Sequence, residues 1–321
     1  MVIFFNFFSI IAPLRIFTLK RYVYYNIFSI IEYIIFFMMK KILTADGTET
    51  FLNEEYKEAY HSTKAGAYTE SLYKFVLPCK IPQLAKKGRI KILDVGFGLG
   101  YNVAVAIKTA LQENSSVDLE IFSIEKDISV FEKIKSLSFP ENLKSIFDFL
   151  LSGKFQKYFL KNFTFDSYFI EKDNIKVKVL IGEGRQILKK LAQGNFKFDA
   201  VFYDAFSPKV NTEMWTLDIF KVVKNLMKDE AVLATYSASL AVRKGLLEAG
   251  FNIGLVEPVG RKSYSTVATV KGDIPPLTEK EKKRLETSPY AFPYRDENLS
   301  LPPEEIKKRW EKELKKRLSQ T

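Results

Sequence analysis

The sequence predicts an α/β fold built on a mostly parallel sheet, and three observations predict it. Apolar runs that suit buried strands alternate with amphipathic runs that suit helices over much of the chain. A turn with glycines at alternate positions, Gly96, Gly98 and Gly100, follows the first core strand. The last two strands are too close in sequence to enclose a helix. Alternation implies parallel strands with right-handed crossovers, whereas that final pair should run antiparallel around Gly260 near an edge.

The chain divides by composition into a leader, a lead-in, a core and a tail. Residues 1–39 form an apolar leader, residues 40–89 a short lead-in, and residues 273–321 a charged tail. The core spans residues 90–272 and carries an insertion at residues 129–175, which is longer than one crossover needs.

The leader admits several interpretations. Residues 22–39 are about as long as the ~20 residues that cross a bilayer, and basic residues flank them. Glu32 near the middle counts against a membrane span, and a signal peptide would need a small-residue cleavage site that does not follow. Met38 or Met39 resembles the start of a soluble protein. We therefore expect an extension of the gene model, with a membrane anchor as the alternative.

Local patterns predict the elements in order. Asp46-Gly47 favours a hairpin in the lead-in, and the spacing of Leu72, Phe75 and Val76 favours a helix packed on the core. In the core we expect strands at residues 90–95, 117–127, 165–171, 175–182, 198–206, 231–237, 252–258 and 265–272. We expect helices at residues 103–111, 131–160 with breaks near Pro140 and Gly153, 185–191, 214–227 and 240–249.

The tail predicts one further helix at residues 300–318. Acidic residues near its start and basic residues at its end complement the helix dipole. Ile306, Trp310, Leu314 and Leu318 make one apolar stripe. We expect this helix to dock on the domain, with contact between its basic face and nucleic-acid phosphates as the alternative.

The spacing of the glycines separates possible ligands. Alternate glycines let the backbone turn sharply and approach a ligand closely. A dinucleotide fingerprint, G-x-G-x-x-G, would require a glycine at position 101, which is Tyr101. The G-x-G-x-G spacing after Asp94 instead resembles motif I of class I methyltransferases, which bind S-adenosylmethionine (SAM). That resemblance implies a Rossmann-like, mostly parallel sheet with one antiparallel strand near the edge.

Two carboxylates follow later strands of the predicted sheet. Glu125 ends the strand after the glycine turn, where a carboxylate can accept hydrogen bonds from both ribose hydroxyls. Asp204 ends the strand FDAVFY, and ligands of such sheets bind at the carboxyl ends of the strands. A carboxylate there suits an ammonium substrate, because it can bind the cation and help to remove its proton. A solvated charge at Glu125 and a turn cap at Asp204 are the structural alternatives.

Composition narrows the function classes. The net charge of +11 favours a polyanionic partner such as nucleic acid or an anionic membrane surface. Cys79 is the only cysteine, which excludes an intrachain disulfide, and His61 is the only histidine, which leaves no material for a His/Cys metal cluster. Ser-His-Asp hydrolysis would depend wholly on His61, and the sequence has no nucleophile-elbow motif. We expect a reducing, cytoplasmic compartment.

Several blocks together resemble one family, the methyltransferase half of the tRNA-modifying enzyme MnmC and its relatives. In order they are HSTKAGAYTES, DVGFGLGYN, IEKD, GEGR, YDAFSPKVNTEMW, TYSASLAVRKGLLEAGF and GRKSYSTVATV, spanning roughly residues 45 to 270. The resemblance implies methylation of the primary amine of 5-aminomethyl-(2-thio)uridine at the tRNA wobble position. It also implies SAM as cofactor and the tRNA anticodon stem-loop as partner.

The resemblance carries roles to particular residues. Asp204 would be catalytic and would face both methyl donor and amine. The cofactor-binding residues would be Gly96, Phe97, Gly98, Gly100, Asn102, Glu125, Lys126, Gly182, Glu183 and Ala205. The substrate side would comprise Tyr60, Glu70, Lys209, Asn211, Trp215, Arg261 and Lys262. Glu183 stands where an aspartate is expected, which puts its contact with the adenine in doubt.

The sequence also departs from the bifunctional enzyme. It has no counterpart of the flavin-dependent oxidase half, so we expect no FAD, and we expect no metal. The aminomethyl substrate would then come from another enzyme. We expect a monomer, and no membrane partner unless the leader is real. The alternatives are an aminopropyltransferase of the spermidine-synthase type and a non-catalytic, membrane-tethered RNA-binding protein.

Overall fold

The computed structural model describes residues 41–320. The predictions for the leader, residues 1–39, lie outside the described residues. Among the helices of the described range, none combines the length and the apolar character needed to cross a bilayer.

The lead-in forms a small three-stranded sheet and two short helices. Its strands are β1 (Lys41–Leu43), β2 (Glu49–Asn53) and β3 (Glu58–Ala59), in that order across the sheet. The predicted turn at Asp46-Gly47 joins β1 to β2, with Gly47 at φ +80°. The predicted helix is present as α1 (Ala67–Ser71), which continues into a π-helical turn (Leu72–Val76), followed by α2 (Ile81–Lys86).

The core is a nine-stranded sheet flanked by helices. Its strands are β4 (Arg89–Val95), β5 (Asp118–Glu125), β6 (Lys154–Leu160), β7 (Phe163–Lys172), β8 (Ile175–Ile181), β9 (Phe198–Tyr203), β10 (Met227–Thr235), β11 (Asn252–Val256) and β12 (Ser265–Thr269). The strand order is β11-β12-β10-β9-β4-β5-β8-β7-β6. The core helices are α3 (Tyr101–Glu113), α4 (Val130–Ser136), α5 (Glu141–Leu151), α6 (Gly184–Gln193), α7 (Leu217–Asn225) and α8 (Leu240–Glu248). The predicted α/β class is confirmed.

The register at the centre of the sheet aligns three strand ends. Strands β5 and β9 pair in parallel with β4 on either side, so that Val95 lies opposite Ile124 and opposite Tyr203. The residues that follow these positions therefore leave the sheet at the same edge. This register brings Gly96, Glu125 and Asp204 together.

Two reversed strands each lie one position in from an edge of the sheet. Strand β12 runs antiparallel to both β10 and β11, as predicted for the pair around Gly260. The predicted hairpin in the insertion is also present, and its first strand, β7, runs antiparallel to β8. The sheet is thus mostly parallel but has a second reversed strand besides the predicted one.

Two predicted helices end earlier than expected. Residues 154–160, predicted as the end of the helical region 131–160, form strand β6 because β7 offers a full antiparallel partner across a tight turn. The helix expected at residues 214–227 is divided. A 3-10 turn (Thr212–Trp215) precedes α7, whose start is capped by Thr216 accepting from the Ile219 N–H, and Met227 already belongs to β10.

The tail docks on the core as α9 (Glu279–Thr287), an extended segment and α10 (Pro303–Leu318). The extended segment hydrogen-bonds to the start of α7, where the Leu217 N–H donates to the Tyr294 carbonyl at 2.9 Å. On α10, Ile306 is buried, and Trp310 stacks on Phe292 with 4.8 Å between ring centroids. The indole N–H of Trp310 also donates to the Phe292 carbonyl at 3.0 Å.

We predict that Trp310→Ala lowers the free energy of unfolding by about 2 to 3 kcal/mol, because it removes a partly buried aromatic contact and a hydrogen bond. Trp310→Phe keeps the ring and loses only the hydrogen bond, so we expect a loss of about 1 kcal/mol. Urea unfolding followed by circular dichroism measures both. A loss below about 0.5 kcal/mol for Trp310→Ala would show that the tail contributes little to stability.

Candidate active site

A cavity of about 710 Å³ opens at the edge where β4, β5 and β9 end. Its size lies within the roughly 300–1,000 Å³ of small-molecule sites. The predicted site residues that line it are Tyr60, Glu70, Gly96, Phe97, Gly98, Glu125, Lys126, Gly182, Glu183, Asp204, Ala205, Asn211 and Arg261. The predicted residues outside its lining are Gly100, Asn102, Lys209, Trp215 and Lys262.

The backbone of the glycine loop lies in close contact with the residue that follows β9. Gly96 has φ +99°, and a Cβ at this position would lie 2.6 Å from the carbonyl oxygen of Asp204. Gly98 has φ +51°, and its Cβ would lie 3.2 Å from the ring of Tyr60. Gly100 also has a positive φ and precedes α3. Glycine is therefore required here both for the backbone conformation and for space.

Glu125 stands at the predicted strand end and holds the glycine loop. One carboxylate oxygen accepts from the Gly98 N–H at 2.9 Å, and the other accepts from the N–H groups of Lys126 and Asp127 at 2.7 Å each. Burial raises the pKa of Glu125 despite these donors. A carboxylate has about four acceptor positions, so binding two ribose hydroxyls would displace at least one of these bonds.

Glu183 caps the start of α6 and is connected to the tail through Arg185. It accepts from the Gln186 N–H at the start of α6 and from Arg185 Nε at 2.8 Å. The Arg185 guanidinium in turn donates to the fully buried Asp296 at 2.7 Å. Pro303, the first residue of α10, lines the same cavity. The tail thus forms part of the wall on the side where the adenine was predicted.

Asp204 is held by Asn102, one of the residues that were predicted to bind the cofactor. Asn102 Nδ2 donates to Asp204 Oδ2 at 2.7 Å, and the Asp204 N–H donates to the Val95 carbonyl. Burial, reinforced by the negative charge of Glu70, raises the pKa of Asp204 to about 7. A carboxylate with this pKa can accept a proton near neutral pH and release it again.

The segment after Asp204 is braced from behind. Trp215 is fully buried, and its indole N–H donates to the Phe206 carbonyl at 2.7 Å. The Tyr236 hydroxyl donates to the Ala205 carbonyl at 2.9 Å. Trp215 therefore supports the cavity wall rather than forming its surface.

Glu58, on β3 of the lead-in, lines the cavity and holds the segment that follows Asp204. Its carboxylate accepts from both the N–H and the hydroxyl of Ser207, at 2.9 and 2.5 Å. In the same lead-in, Glu70 accepts from Lys74 Nζ at 2.5 Å and from the Ser62 N–H at 2.7 Å. The lead-in is therefore part of the site.

The cationic residues differ in their surroundings. Arg261 lines the cavity, and its guanidinium donates to the Tyr236 carbonyl and to the Ser265 hydroxyl. Lys126 pairs with Glu55 at 2.9 Å. Lys209 and Lys262 are exposed.

Sequence reasoning missed part of the cavity wall. The missed lining residues include His61, Lys74, Glu55, Tyr56, Glu58, Arg185 and Tyr236. His61, Arg185 and Tyr236 stood inside the quoted blocks HSTKAGAYTES, GEGR and TYSASLAVRKGLLEAGF, which were the available signal. The others lie on separate elements that only the fold brings together.

Comparisons with known proteins agree with this geometry. Residues 147–271 match a family described as S-adenosyl-L-methionine-dependent methyltransferase. The crystal structure of MNMC2 from Aquifex aeolicus shares 41% sequence identity and superposes with a TM-score of 0.77, covering 87% of this chain and 85% of that one. An uncharacterized protein of Methanocaldococcus jannaschii is 33% identical over 265 residues, which is 82% of this chain and 69% of that protein.

A further similarity covers only part of the relative. The bifunctional MnmC protein of Campylobacter concisus, named for tRNA 5-methylaminomethyl-2-thiouridine biosynthesis, is 29% identical over 68% of this chain. The chain spans about a third of the length of this relative, 34%. The identity to MNMC2 extends over most of both chains. The chain therefore belongs to the MnmC2 family of S-adenosyl-L-methionine-dependent methyltransferases.

Proposed function

We propose that this methyltransferase acts on the primary amine of 5-aminomethyl-(2-thio)uridine at the wobble position of tRNA and forms 5-methylaminomethyl-(2-thio)uridine. The observation that carries the proposal is the partly buried Asp204, with a pKa of about 7, directly against the glycine loop. A carboxylate in this place suits a cationic amine that must lose a proton before it is methylated. The named activity of the MnmC relatives supplies the nucleoside. Membership of a methyltransferase family counts against the alternative function as an aminopropyltransferase.

The residues of the cavity fit SAM as cofactor. The glycine loop leaves room for a ligand where a side chain would collide, and Glu125 and Glu183 lie at the next two strand ends. We propose that Gly96, Phe97 and Gly98 line the methionine part and that Glu125 binds the ribose. When bound, SAM supplies a methyl group on a positively charged sulfur.

The mechanism that follows uses Asp204 twice. Its carboxylate binds the ammonium form of the substrate, and one ammonium proton then moves to a carboxylate oxygen. The nitrogen lone pair that this exposes would then be free to take the methyl group that bound SAM would supply, with the electron pair of the broken carbon–sulfur bond left on sulfur. Asn102 fixes the orientation of Asp204 by its hydrogen bond to Oδ2. Asn102 therefore acts through Asp204 in this scheme.

We propose that the exposed lysines near the cavity bind the anticodon stem-loop. The net charge of +11 suits a polyanion, and Lys209 and Lys262 lie on the segments that follow Asp204 and β11. Phosphate contacts of this kind position a nucleic acid, while the cavity selects the base.

We predict that Gly96→Ala lowers SAM affinity at least about tenfold, or ~1.4 kcal/mol. The added Cβ would meet the backbone of Asp204, which cannot move without disturbing the site. Gly88→Ala is the matched control, because Gly88 also has a positive φ (+86°) but no neighbour within 4 Å of the added Cβ. Calorimetric titration with SAM measures both. Unchanged affinity in a folded Gly96→Ala protein would contradict the proposed binding loop.

We predict that Asp204→Asn lowers kcat about 10²- to 10⁴-fold and leaves SAM affinity unchanged. The amide keeps the shape of the side chain but cannot accept the proton. Because the wild-type residue acts as a base only when ionised, kcat/KM of the wild type should rise with pH through about 7. Steady-state methylation and SAM calorimetry test both points. If SAM binding is lost instead, Asp204 is a cofactor ligand.

We predict that methyl incorporation requires the aminomethyl group on the tRNA. The measurement compares tRNA that carries 5-aminomethyluridine with the same tRNA lacking it, followed by nucleoside mass spectrometry. Equal methylation of both would refute the assigned substrate.

Binding of aminomethyl-tRNA at several salt concentrations tests the RNA surface. Lys209→Gln with Lys262→Gln should reduce the slope of log affinity against log salt by about 1 per lost contact. Lys87→Gln is the control, since Lys87 is exposed and precedes the start of β4, at the amino ends of the strands and away from the cavity. An equal effect of the control would argue against a defined surface.

A further inference from the structure

Glu213 lies in the 3-10 turn Thr212–Trp215 and lines the active-site cavity. Its carboxylate oxygen Oε2 is buried and has no hydrogen-bond partner among residues 41–320. Buried polar atoms are nearly always paired, so an unpaired acceptor in the wall of a ligand cavity needs an explanation. Burial also raises the pKa of Glu213, and a donor to Oε2 would stabilise the ionised carboxylate. The unpaired oxygen therefore suits a hydrogen-bond donor on a ligand.

Neighbouring residues fix the carboxylate of Glu213. Asn211 Nδ2 donates to its other oxygen, Oε1, at 2.7 Å. The Tyr203 hydroxyl donates to the carbonyl of Met214, the next residue of the turn, and Trp215 after it is fully buried. Asn211, which was predicted on the substrate side, thus orients Glu213 and leaves Oε2 for a group that enters the cavity.

Met214 places this turn beside the end of β8. A Cβ on Gly184, the first residue of α6, would lie 2.8 Å from Met214 Cε, so the methionine packs against the first turn of that helix. The Gly182 N–H, just after β8, donates to the Glu125 carbonyl at 2.8 Å. Since Glu125 is the proposed ribose ligand, the turn that carries Glu213 lies where the base attached to that ribose would be.

The cavity wall on this side suits a flat heterocycle. Ile124, Met214 and Pro303 line it with apolar atoms, and α10, which begins at Pro303, packs against the 3-10 turn. A thioether packs favourably on aromatic rings. Ligand pockets commonly combine apolar walls with a few placed polar groups. Adenine matches such a wall, because its faces are apolar and its 6-amino group donates from the edge of the ring.

Glu183, the predicted adenine ligand, is already engaged in the protein. One of its oxygens accepts from the Gln186 N–H at 3.0 Å, and the other accepts from Arg185 Nε at 2.8 Å. Both bonds hold the start of α6. Of these two carboxylates, Glu213 alone has an oxygen without a donor among the described residues.

We propose that Glu213 recognises the adenine of the cofactor: its Oε2 accepts a hydrogen bond from the 6-amino group, while Ile124, Met214 and Pro303 form the apolar walls around the ring. This inference rests on the proposed placement of SAM in the cavity, with its ribose at Glu125, and not on the identity of the methylated substrate. The site then selects a purine by its 6-amino group, because a purine without that group has no donor for Oε2.

The first experiment needs no variant. Calorimetric titration of the full-length wild type compares S-adenosylhomocysteine, which is SAM without the transferred methyl group, with its analogue carrying hydrogen in place of the 6-amino group. We expect the analogue to bind about tenfold more weakly or worse, because it loses a hydrogen bond to a charged acceptor. Equal affinities would overturn the inference.

The second experiment assigns the discrimination to one carboxylate. The same two ligands are titrated into Glu213→Leu, which is similar in size but has no acceptor, and into Glu213→Gln, which keeps the shape but not the charge. We expect the affinity ratio of the two ligands to fall to within about twofold of unity for leucine and to fall about threefold or more for glutamine. Glu183→Gln is the matched control, since Glu183 lines the same cavity but is already paired, and its ratio should equal that of the wild type. Circular dichroism checks that each variant is folded.

The outcomes separate this inference from the proposed function. A wild-type ratio that persists in both Glu213 variants, or that is lost in Glu183→Gln instead, would overturn the role of Glu213 and leave the proposed function standing. A wild type that binds neither ligand would overturn the placement of SAM, and the inference with it. A wild type that binds as expected but does not methylate aminomethyl-tRNA would refute the proposed substrate and still support the adenine site.

Discussion

The parallel pairing of β4 with β5 and β9 is the constraint on which the site depends. Its register places the ends of these strands side by side, so that a glycine loop and two carboxylates meet at one edge. The same pairing brings the backbone of Gly96 so close to Asp204 that a Cβ on Gly96 would lie 2.6 Å from the Asp204 carbonyl oxygen. A slip of one residue would turn every side chain of a strand to the opposite face and would separate Gly96, Glu125 and Asp204 from one another.

The second constraint is electrostatic. Several carboxylates in or near the cavity are buried or partly buried, and each removal of a charge from water must be compensated. Glu70 has Lys74, Glu125 has three backbone N–H donors, and Asp94 has the Ser123 hydroxyl at 2.5 Å. Asp204 has an amide partner in Asn102, which orients the carboxylate but does not neutralise it. This incomplete compensation brings the pKa of Asp204 close to neutrality. Burial raises the pKa of Asp94 as far, but Asp204 lines the cavity and Asp94 does not, so position distinguishes the candidate reactive carboxylate.

The lead-in, core and tail that composition predicts do not have separate roles, because all three contribute residues to the cavity. The lead-in supplies Tyr60, Glu70 and His61 to the cavity, and the tail supplies Pro303 and the buried partner of Arg185. Both segments cover the carboxyl edge of the sheet and enclose the cavity. Arg243 is buried, and its guanidinium donates to the Thr266 hydroxyl. Its positive charge is therefore not available to a polyanionic partner.

The sequence by itself determined the fold class, the glycine loop, and the strand ends that carry Glu125 and Asp204, because periodicity and glycine spacing are local properties of the chain. It also indicated the family through blocks that are contiguous in sequence. Only the tertiary structure decided that Asn102 holds Asp204, that Trp215 braces the wall from behind, that residues 154–160 pair as a strand, and that His61 lies unpaired in the cavity. Each of these depends on a partner distant in sequence, and neither a partner's position nor its effect on burial and charge can be obtained from local pattern.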